Sequence, residues 1–476
     1  MPTMRSMLSR PSVRLLRTLA CASLLIAPLL AHGQAATPAV SAIVAFSASE
    51  ANGGIVVGAD GGLYGTTSSA SSVTGGLIYR SSADGSLVKT IYQMSTSEAY
   101  APLAGLLVGS DGLLYGTTSL GAVSVVANTT GTVFRIKTDG TGFTILHRFA
   151  PWSESNVNNN AINADGAFPE TALIEGSDGF LYGVTRAGGP HGTGAVFKVS
   201  RDGTSFKVLH TFGAVTSDAN AAVTINLDGA APLGVLLQGA DGFIYGTTSA
   251  GGENGRGTIF RVGSDGSGFQ LQHVFPALTG SASPQVNVGG ASPLAGLADG
   301  KDGRFYGVAS GGGANGFGTI FAFDPVGRLL NVMYDFDDAS GATPAGALLL
   351  GSDTRLYGTT AGGGTTSGGG KSNLGTIFSI ARDGTGFTKL HSFDNSQGAN
   401  PRGRLLQANA TTLIGVTTTG GRCGQGTMFQ YSSTGATVVG DTGCGQKKGN
   451  NGGGVATPAL LLLMGTLGLA RARRRR

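Results

Sequence analysis

One unit of about 57 residues returns seven times along this chain, and a fixed internal period constrains a fold more than any local motif does. Near-copies of GSDGLLYGTTS, residues 109–119, end in Tyr64, Tyr115, Tyr182, Tyr245, Tyr306 and Tyr357, each followed by glycine, with Ile414-Gly415 as a degenerate seventh. A second element follows each copy: GLIYR at 76, GTVFR at 131, GAVFK at 194, GTIFR at 257, GTIFA at 318, GTIFS at 375 and GTMFQ at 426. Every unit opens on a short apolar run such as PLAGLLVG from Pro102, PLGVLLQG from Pro232 or PAGALLLG from Pro344. Every unit closes on another, such as FTILHRF from Phe143 or FTKLHSF from Phe387. Four strands per unit, bounded by Gly, Asp and Ser turn signals, are therefore expected. Seven such blades around an axis predict an all-β, seven-bladed β-propeller of four-stranded blades over residues 41–440. An open β-solenoid is the alternative.

A ring needs a fastening. AIVAF, Ala42 to Phe46, reads as the last strand of a unit but precedes the first unit, so it is expected to pair beside the strand around Met428. Ala436 to Val439 could fill the same place.

The Asp-Gly pairs at Asp60, Asp111, Asp178, Asp241 and Asp302, degenerating to Asp353-Thr354, fall between first and second strands. A second set at Asp84, Asp139, Asp202, Asp265 and Asp383 falls between third and fourth. They read as two-residue hairpin turns with positive φ at both central positions. Only Asp299-Gly-Lys-Asp302-Gly approaches a calcium loop, without a following bidentate Glu at loop spacing. Four of the six histidines, His147, His210, His273 and His391, share one position of the fourth strand and are expected to be packing or edge residues. Positions spread around a ring cannot meet at one metal, so no metal site, cofactor or catalytic residue is assigned.

The other face holds the connections that vary in length: Ala150 to Phe168, Gly213 to Ala231, Pro276 to Ser292 and Ala361 to Leu374. Loops on a rigid scaffold are where binding usually resides. That rim carries the single tryptophan, Trp152, with Glu154, Asp165, Arg186, His191, Glu253, Arg256, Asp337 and Asp338. Trp152, Glu154, Arg186, His191 and Arg256 are the candidate binding residues, for a glycan or a surface protein. A polysaccharide hydrolase using two of Glu154, Glu170 and Glu253 is the rival, and a purely structural envelope protein is the third reading. Such a hydrolase needs its carboxyls about 5–9.5 Å apart.

Charge and the chain ends supply the address. Of 32 Lys and Arg, nine are arginines at the two ends: Arg5, Arg10, Arg14 and Arg17, then Arg471 and Arg473 to Arg476. The remaining 23 face 27 acidic residues, so the body is slightly acidic and a nucleic-acid partner is not expected. An Arg-bearing start, an apolar core from Leu19 to Leu30 and small residues Ala31 to Ala36 predict a secretory signal, with its helix, over residues 1–35. Export leaves Cys423 and Cys444, which in an oxidising compartment are read as a disulfide in preference to a metal pair. A Gly-rich linker, 441–454, precedes a hydrophobic tail helix over 455–476, whose apolar stretch, interrupted by Pro458, is short for a membrane span.

Glycine run, apolar stretch and terminal RARRRR together resemble the GlyGly-CTERM sorting signal of Gram-negative bacteria. The resemblance implies cleavage near Gly452, Gly453 and Gly454 by a rhomboid-type protease and transfer to the cell surface, with membrane contact through the tail only. A permanent anchor is the alternative. The repeats, through DGLLYGTTSLG from Asp111, GTIFRVGSDGSGF from Gly257 and LHSF from Leu390, resemble the GloVer (Gloeo/Verruco) tandem repeat of choice-of-anchor proteins. That resemblance implies a fold and an address without an activity.

Overall fold

In the computed structural model the described residues are 38–46, 53–68, 75–95, 99–121, 130–152, 154–155, 161–217, 224–280, 283–366 and 369–435. They form seven antiparallel sheets arranged as propeller blades, each with four strands in an up-and-down order. In the third blade these are Ile174–Glu175, Leu181–Thr185, Ala195–Val199 and Phe206–Thr211. The innermost strand has only two residues, and the outermost five or six in the blades two to four. The signal helix, the tail helix, Gly452 to Gly454 and Cys444 lie outside the described residues. Among the described residues no helix is long and apolar enough to cross a membrane.

The central hairpin of each blade explains two recurring glycines. Gly116 faces Phe134 across the sheet, and a Cβ there would lie 2.5 Å from the Phe134 ring. The Tyr-Gly step thus makes room for the large ring of the Gly-Thr-Val-Phe element. Gly131, which opens that element, has φ of 105°, and a Cβ would meet the Thr118 carbonyl at 2.4 Å and Pro169 of the next blade at 2.5 Å. The first is a packing requirement within a blade; the second is one between blades.

Seven apolar clusters each join two neighbouring blades. One sets Val196, Leu209 and Phe212 of the third blade against Leu236, Ile244 and Phe260 of the fourth. Another sets Ile43, Val416 and Met428 of the seventh against Ile55, Leu63 and Tyr79 of the first. A closed ring of seven has seven interfaces, so among the described residues every blade packs apolar side chains against both neighbours. Burying one of these side chains stabilises the fold by about 1.5–3 kcal/mol.

Strand pairing fastens the ring. Ala39–Ala45 runs antiparallel to Thr427–Ser432, with Ala42 opposite Phe429 and Val44 opposite Met428, as the sequence implied. The pairing slips by one residue between Ala42 and Val44, as it does in the outermost strands of the other blades, for example beside Val133 and Phe134. At that bulge, Gly85 of the first blade comes so close to Ile43 that a Cβ would lie 2.5 Å from its carbonyl. Gly203 of the third blade meets Leu146 of the second in the same way, at 2.8 Å. The N-terminal strand is therefore an outermost strand in register, bulge and contact. The alternative closure, Ala436 to Val439, lies outside the described residues.

The Asp-Gly turns differ from expectation. Gly112 has φ of 78°, but Asp111 is not in the left-handed region. The Gly112 N–H bonds to the Gly109 carbonyl at 2.9 Å, and the Gly109 N–H to the Leu113 carbonyl at 2.9 Å. This is a longer turn with one left-handed residue, not a two-residue turn with two. The reason is the side chain: Asp111 caps the Leu113 N–H and accepts from the Tyr115 hydroxyl at 2.7 Å. Six blades keep the Tyr–Asp bond, between 2.6 and 2.8 Å. The sixth survives its lost glycine because Thr354 adopts φ of 67°.

Candidate binding face at the mouth of the axial channel

The Asp-Gly turns form one face of the ring and the longer connections the other. On the turn face the acidic groups are consumed internally. Asp60 takes Tyr64 at 2.8 Å and Arg80 at 2.9 Å, Asp178 takes Lys198 at 3.3 Å, and Asp241 takes Arg261 at 3.3 Å. Burial alone would raise the Asp60 carboxyl, but hydrogen bonds from Tyr64, the Gly62 N–H and Arg80 outweigh it and hold it below the usual value. Burial and then the bonded aspartate push the hydroxyls of Tyr306 and Tyr357 up to about 12. The calcium-like stretch is spoken for as well. Asp299 binds Lys301 at 2.8 Å, and Asp302 binds Tyr306 at 2.7 Å and Arg382 at 3.4 Å.

The connection face is built around a strained residue. Ala101, Phe168, Ala231, Ser292, Thr343 and Asn400 each precede a proline and each has φ between 51° and 60°. A left-handed conformation is costly for any side chain and most for a bulky one. Two hydrogen bonds hold it: the Phe168 N–H reaches the Thr130 carbonyl of the preceding blade at 2.8 Å, and its own carbonyl accepts from the Arg186 N–H at 3.0 Å. The residue before proline is thus clamped between two blades.

At Phe168 this produces a cluster. The Arg186 guanidinium sits 5.2 Å from the Phe168 ring centre and donates to Glu170 at 3.0 Å. Glu170 also accepts from the Ser119 hydroxyl at 3.2 Å. Trp152 and Phe168, both half-buried, pack on the buried Ala167–Ala187 pair. Arg186 stands where Ser249 and Ser310 of other blades bond a backbone carbonyl. The structure therefore brings Trp152 and Arg186 to one place, with Phe168 and Glu170 as their supports.

The other sequence candidates lie apart from that contact set. Glu154 belongs to a two-residue strand, Glu154–Ser155, paired with Ala161–Ile162 in the connector that carries Trp152. His191 is exposed in the second-to-third connection of the third blade. Arg256 sits in the fourth blade, where its carbonyl accepts from the Ser292 N–H at 2.8 Å. Cys423 is described and Cys444 is not, so their pairing stays an expectation.

Ordered ends anchor the long connectors. Asn163 donates to the Ala150 and Gly166 carbonyls, both at 2.7 Å, and accepts from the Gly166 and Gly189 N–H groups, both at 2.9 Å. Asn226 and Asn287 repeat this in the next two connectors. The fourth-strand histidines are packing residues: His147 stacks on Phe206 of the next blade at 3.5 Å and 4°, and His210 on Phe269 at 3.5 Å and 7°, while His273 and His391 meet Phe275 and Phe393 of their own units edge-on.

Inside the rim, the innermost strands and the residues leading into them line a channel of about 790 Å3. Its wall is small and apolar, with Leu103, Ala172, Leu233, Leu294, Ala347 and Leu406 among the lining residues. Small residues are required where the strands crowd at the axis. A Cβ on Gly296 would lie 2.0 Å from the Val235 carbonyl. The seventh unit departs from this: in Pro401-Arg402-Gly403-Arg404-Leu405, Arg402 stands where the five other units with this proline carry Leu, Ala or, in the third, Glu170, and Arg404 stands where they carry Gly, Ala or Val. Sequence reasoning missed both, although the charge of Arg404 at an otherwise apolar repeat position was a readable signal.

Residues 33–224 match the family model described as the Gloeobacter/Verrucomicrobia repeat. No curated protein matches the sequence. Among solved structures, the chain is similar to a GH74 enzyme of Niastella koreensis, at 15% identity and a TM-score of 0.51, covering 84% of this chain and 55% of that one. It is also similar to the GH74 xyloglucanase of Xanthomonas campestris, at 15% identity and a TM-score of 0.50, covering 80% of this chain and 52% of that one. This chain spans about half the length of either enzyme, and at such identity the likeness is one of fold.

Proposed function

We propose that the chain is an exported β-propeller that acts as an interaction module at the cell envelope, presenting its connection face to a glycan or a surface protein. The observation that carries this reading is the Trp152–Phe168–Arg186 group: an aromatic and cationic surface held on clamped backbone. Aromatic and arginine side chains in fixed positions suit recognition of sugar rings and protein anchors alike. Glu154, His191 and Arg256 extend the same rim in this reading.

The hydrolase alternative has weaker support. Glu170 is neutralised by Arg186, and among the described residues every carboxyl with displaced acidity is displaced downward. A general acid needs the opposite displacement. Delivery follows from the chain ends: the signal directs export, and a rhomboid-type protease cuts near Gly452 to Gly454 for transfer to the surface. A mature mass that still includes Arg476 would instead mean a permanent anchor.

The binding test is a glycan array together with capture from the organism's own envelope fraction. The wild-type protein is expected to retain a ligand that the Trp152→Ala/Arg186→Ala double variant loses. Equal retention by both removes this face from the proposal.

A further inference from the structure

The axial channel holds positive charge that nothing among the described residues answers. Five charged residues line it: Glu170, Asp299, Lys301, Arg402 and Arg404. Lys301 is 2.8 Å from Asp299, and Glu170 is 3.0 Å from Arg186 beside the channel mouth. Those four charges cancel in pairs. Arg402 and Arg404 remain, and among the described residues neither guanidinium has an ion-pair or hydrogen-bond partner. Arg402 lies two residues earlier in the segment between the strands Ala399–Pro401 and Leu406–Asn409, nearer the connection face. Arg404 lies deeper, beside Gly54 of the first blade, where a Cβ on that glycine would come within 3.9 Å of the Arg404 Cβ.

Both arginines are exposed to the solvent of the channel, and the strands around Arg404 still strip enough hydration from its guanidinium to pull it below the usual value. Low-dielectric walls also focus the field of a charge along a cleft, so a diffusing anion meets a stronger attraction here than at an open surface. The guanidinium fork matches a carboxylate with two parallel hydrogen bonds. The rest of the wall offers leucine, alanine and valine to whatever follows that carboxylate. A volume of about 790 Å3 falls within the range of small-molecule sites.

We propose that the axial channel is a second binding site, for a small organic anion whose single carboxylate pairs with Arg404 and whose apolar body lies along the leucine and alanine wall, with Arg402 guiding entry. The site depends on the closed ring and not on Trp152, so either proposal can fail alone.

Isothermal titration of the exported protein with hexanoate, hexanol, acetate and inorganic phosphate tests it. Hexanoate is expected to bind at least tenfold more tightly than each of the other three. Arg404→Gln is expected to weaken hexanoate at least tenfold, Arg404→Lys to weaken it less than Arg404→Gln does, and Trp152→Ala to leave it unchanged. Unfolding curves of all variants establish that the ring is intact. The inference is overturned by hexanoate failing to bind the wild type, by undiminished binding to Arg404→Gln, or by phosphate or acetate binding as well as hexanoate.

Discussion

The connectors that follow the second and third blades differ from the one that follows the fourth in a single coordinated respect. In the first two, a histidine of the outermost strand meets an aspartate of the connector, His147 with Asp165 at 2.9 Å and His210 with Asp228 at 3.1 Å. The same aspartate accepts the N–H of Ala150 at 2.9 Å or of Gly213 at 3.0 Å. After the fourth blade the acceptor is gone, because Gly289 occupies the aspartate's place. The donor is gone too, because Pro276 occupies the place of Ala150 and Gly213. His273 alone remains, with its Nε2 buried and unpartnered. An aspartate and the amide it satisfies were exchanged together, which is how a hydrogen-bonded site changes without leaving two orphans. The orphan that persists is the histidine, retained for its edge contact with Phe275 at 5.1 Å.

The largest expected effect concerns what the connectors share. Asn226 and Asn287 each bond the two ends of their connector to the neighbouring hairpin, so Asn226→Ala and Asn287→Ala are each expected to cost about 3 kcal/mol in urea unfolding. A cost at Asn287 below half that at Asn226 would break the comparison, since it would mean that the fourth connector is held by something other than the shared asparagine.

Rebuilding the lost pair sharpens it. A Cβ on Gly289 would lie 2.9 Å from Pro276 Cδ, so Gly289→Asp alone is expected to destabilise. Combined with Pro276→Ala, which restores the donor and the space, it is expected to show a favourable coupling of about 1–2 kcal/mol in a double-mutant cycle. Additive behaviour sinks the account of a coordinated exchange.

His273 also carries a pH signature. Burial lowers its basicity below the ordinary histidine value of 6.5. The unfolded chain therefore takes up a proton before the folded one does. The stability contributed by the neutral ring is complete above pH 6.5 and declines as pH falls through the unfolded value toward the folded one. Urea midpoints at pH 7.5 and 5.5 are expected to differ less in His273→Gln than in the wild type. A difference as large as that of the wild type assigns the acid sensitivity elsewhere, with His391, also lowered by burial, next in line.

How much of this was legible follows from what each feature needs in order to be seen. Blade number, closure by Ala42 to Phe46 and a packing role for the histidines require only repetition and order along the chain. The Tyr115–Asp111 bond was spelled out five times as Asp-Gly-x-x-Tyr and once as Asp-Thr-x-x-Tyr, but reading it needs the turn type, and assuming two left-handed residues aimed the aspartate away from the ring. The connectors were read by their lengths, which differ. Aligned from their ends they repeat as NADGAFP, NLDGAAP and NVGGASP, and the asparagine, the missing aspartate and the strained residue before proline all become visible there. The Phe168–Arg186 contact lay beyond reach, because it joins a connector to a hairpin of the same blade through a backbone conformation that ordinary residues avoid. Arg404 was readable as an exception to its own repeat, once the inward-facing run of each unit is placed at the axis.

The smallest effect tests whether that strained conformation is common to both kinds of connector. Ala231 and Ser292 hold φ of 51° and 54° on either side of the difference, each with its N–H bonded to the preceding blade at 2.9 Å or 2.8 Å. Glycine at either position removes a left-handed penalty of about 1–2 kcal/mol. It also gives the unfolded chain more freedom, which takes back about 0.5–1 kcal/mol. Ala231→Gly and Ser292→Gly are therefore each expected to raise stability by about 0.5 kcal/mol, and by equal amounts, because the clamp is made of backbone that the aspartate exchange does not touch. If Ser292→Gly destabilises while Ala231→Gly stabilises, the loss of Asp228's counterpart has reached the clamp, and the fourth connector differs in its backbone as well as in its side chains.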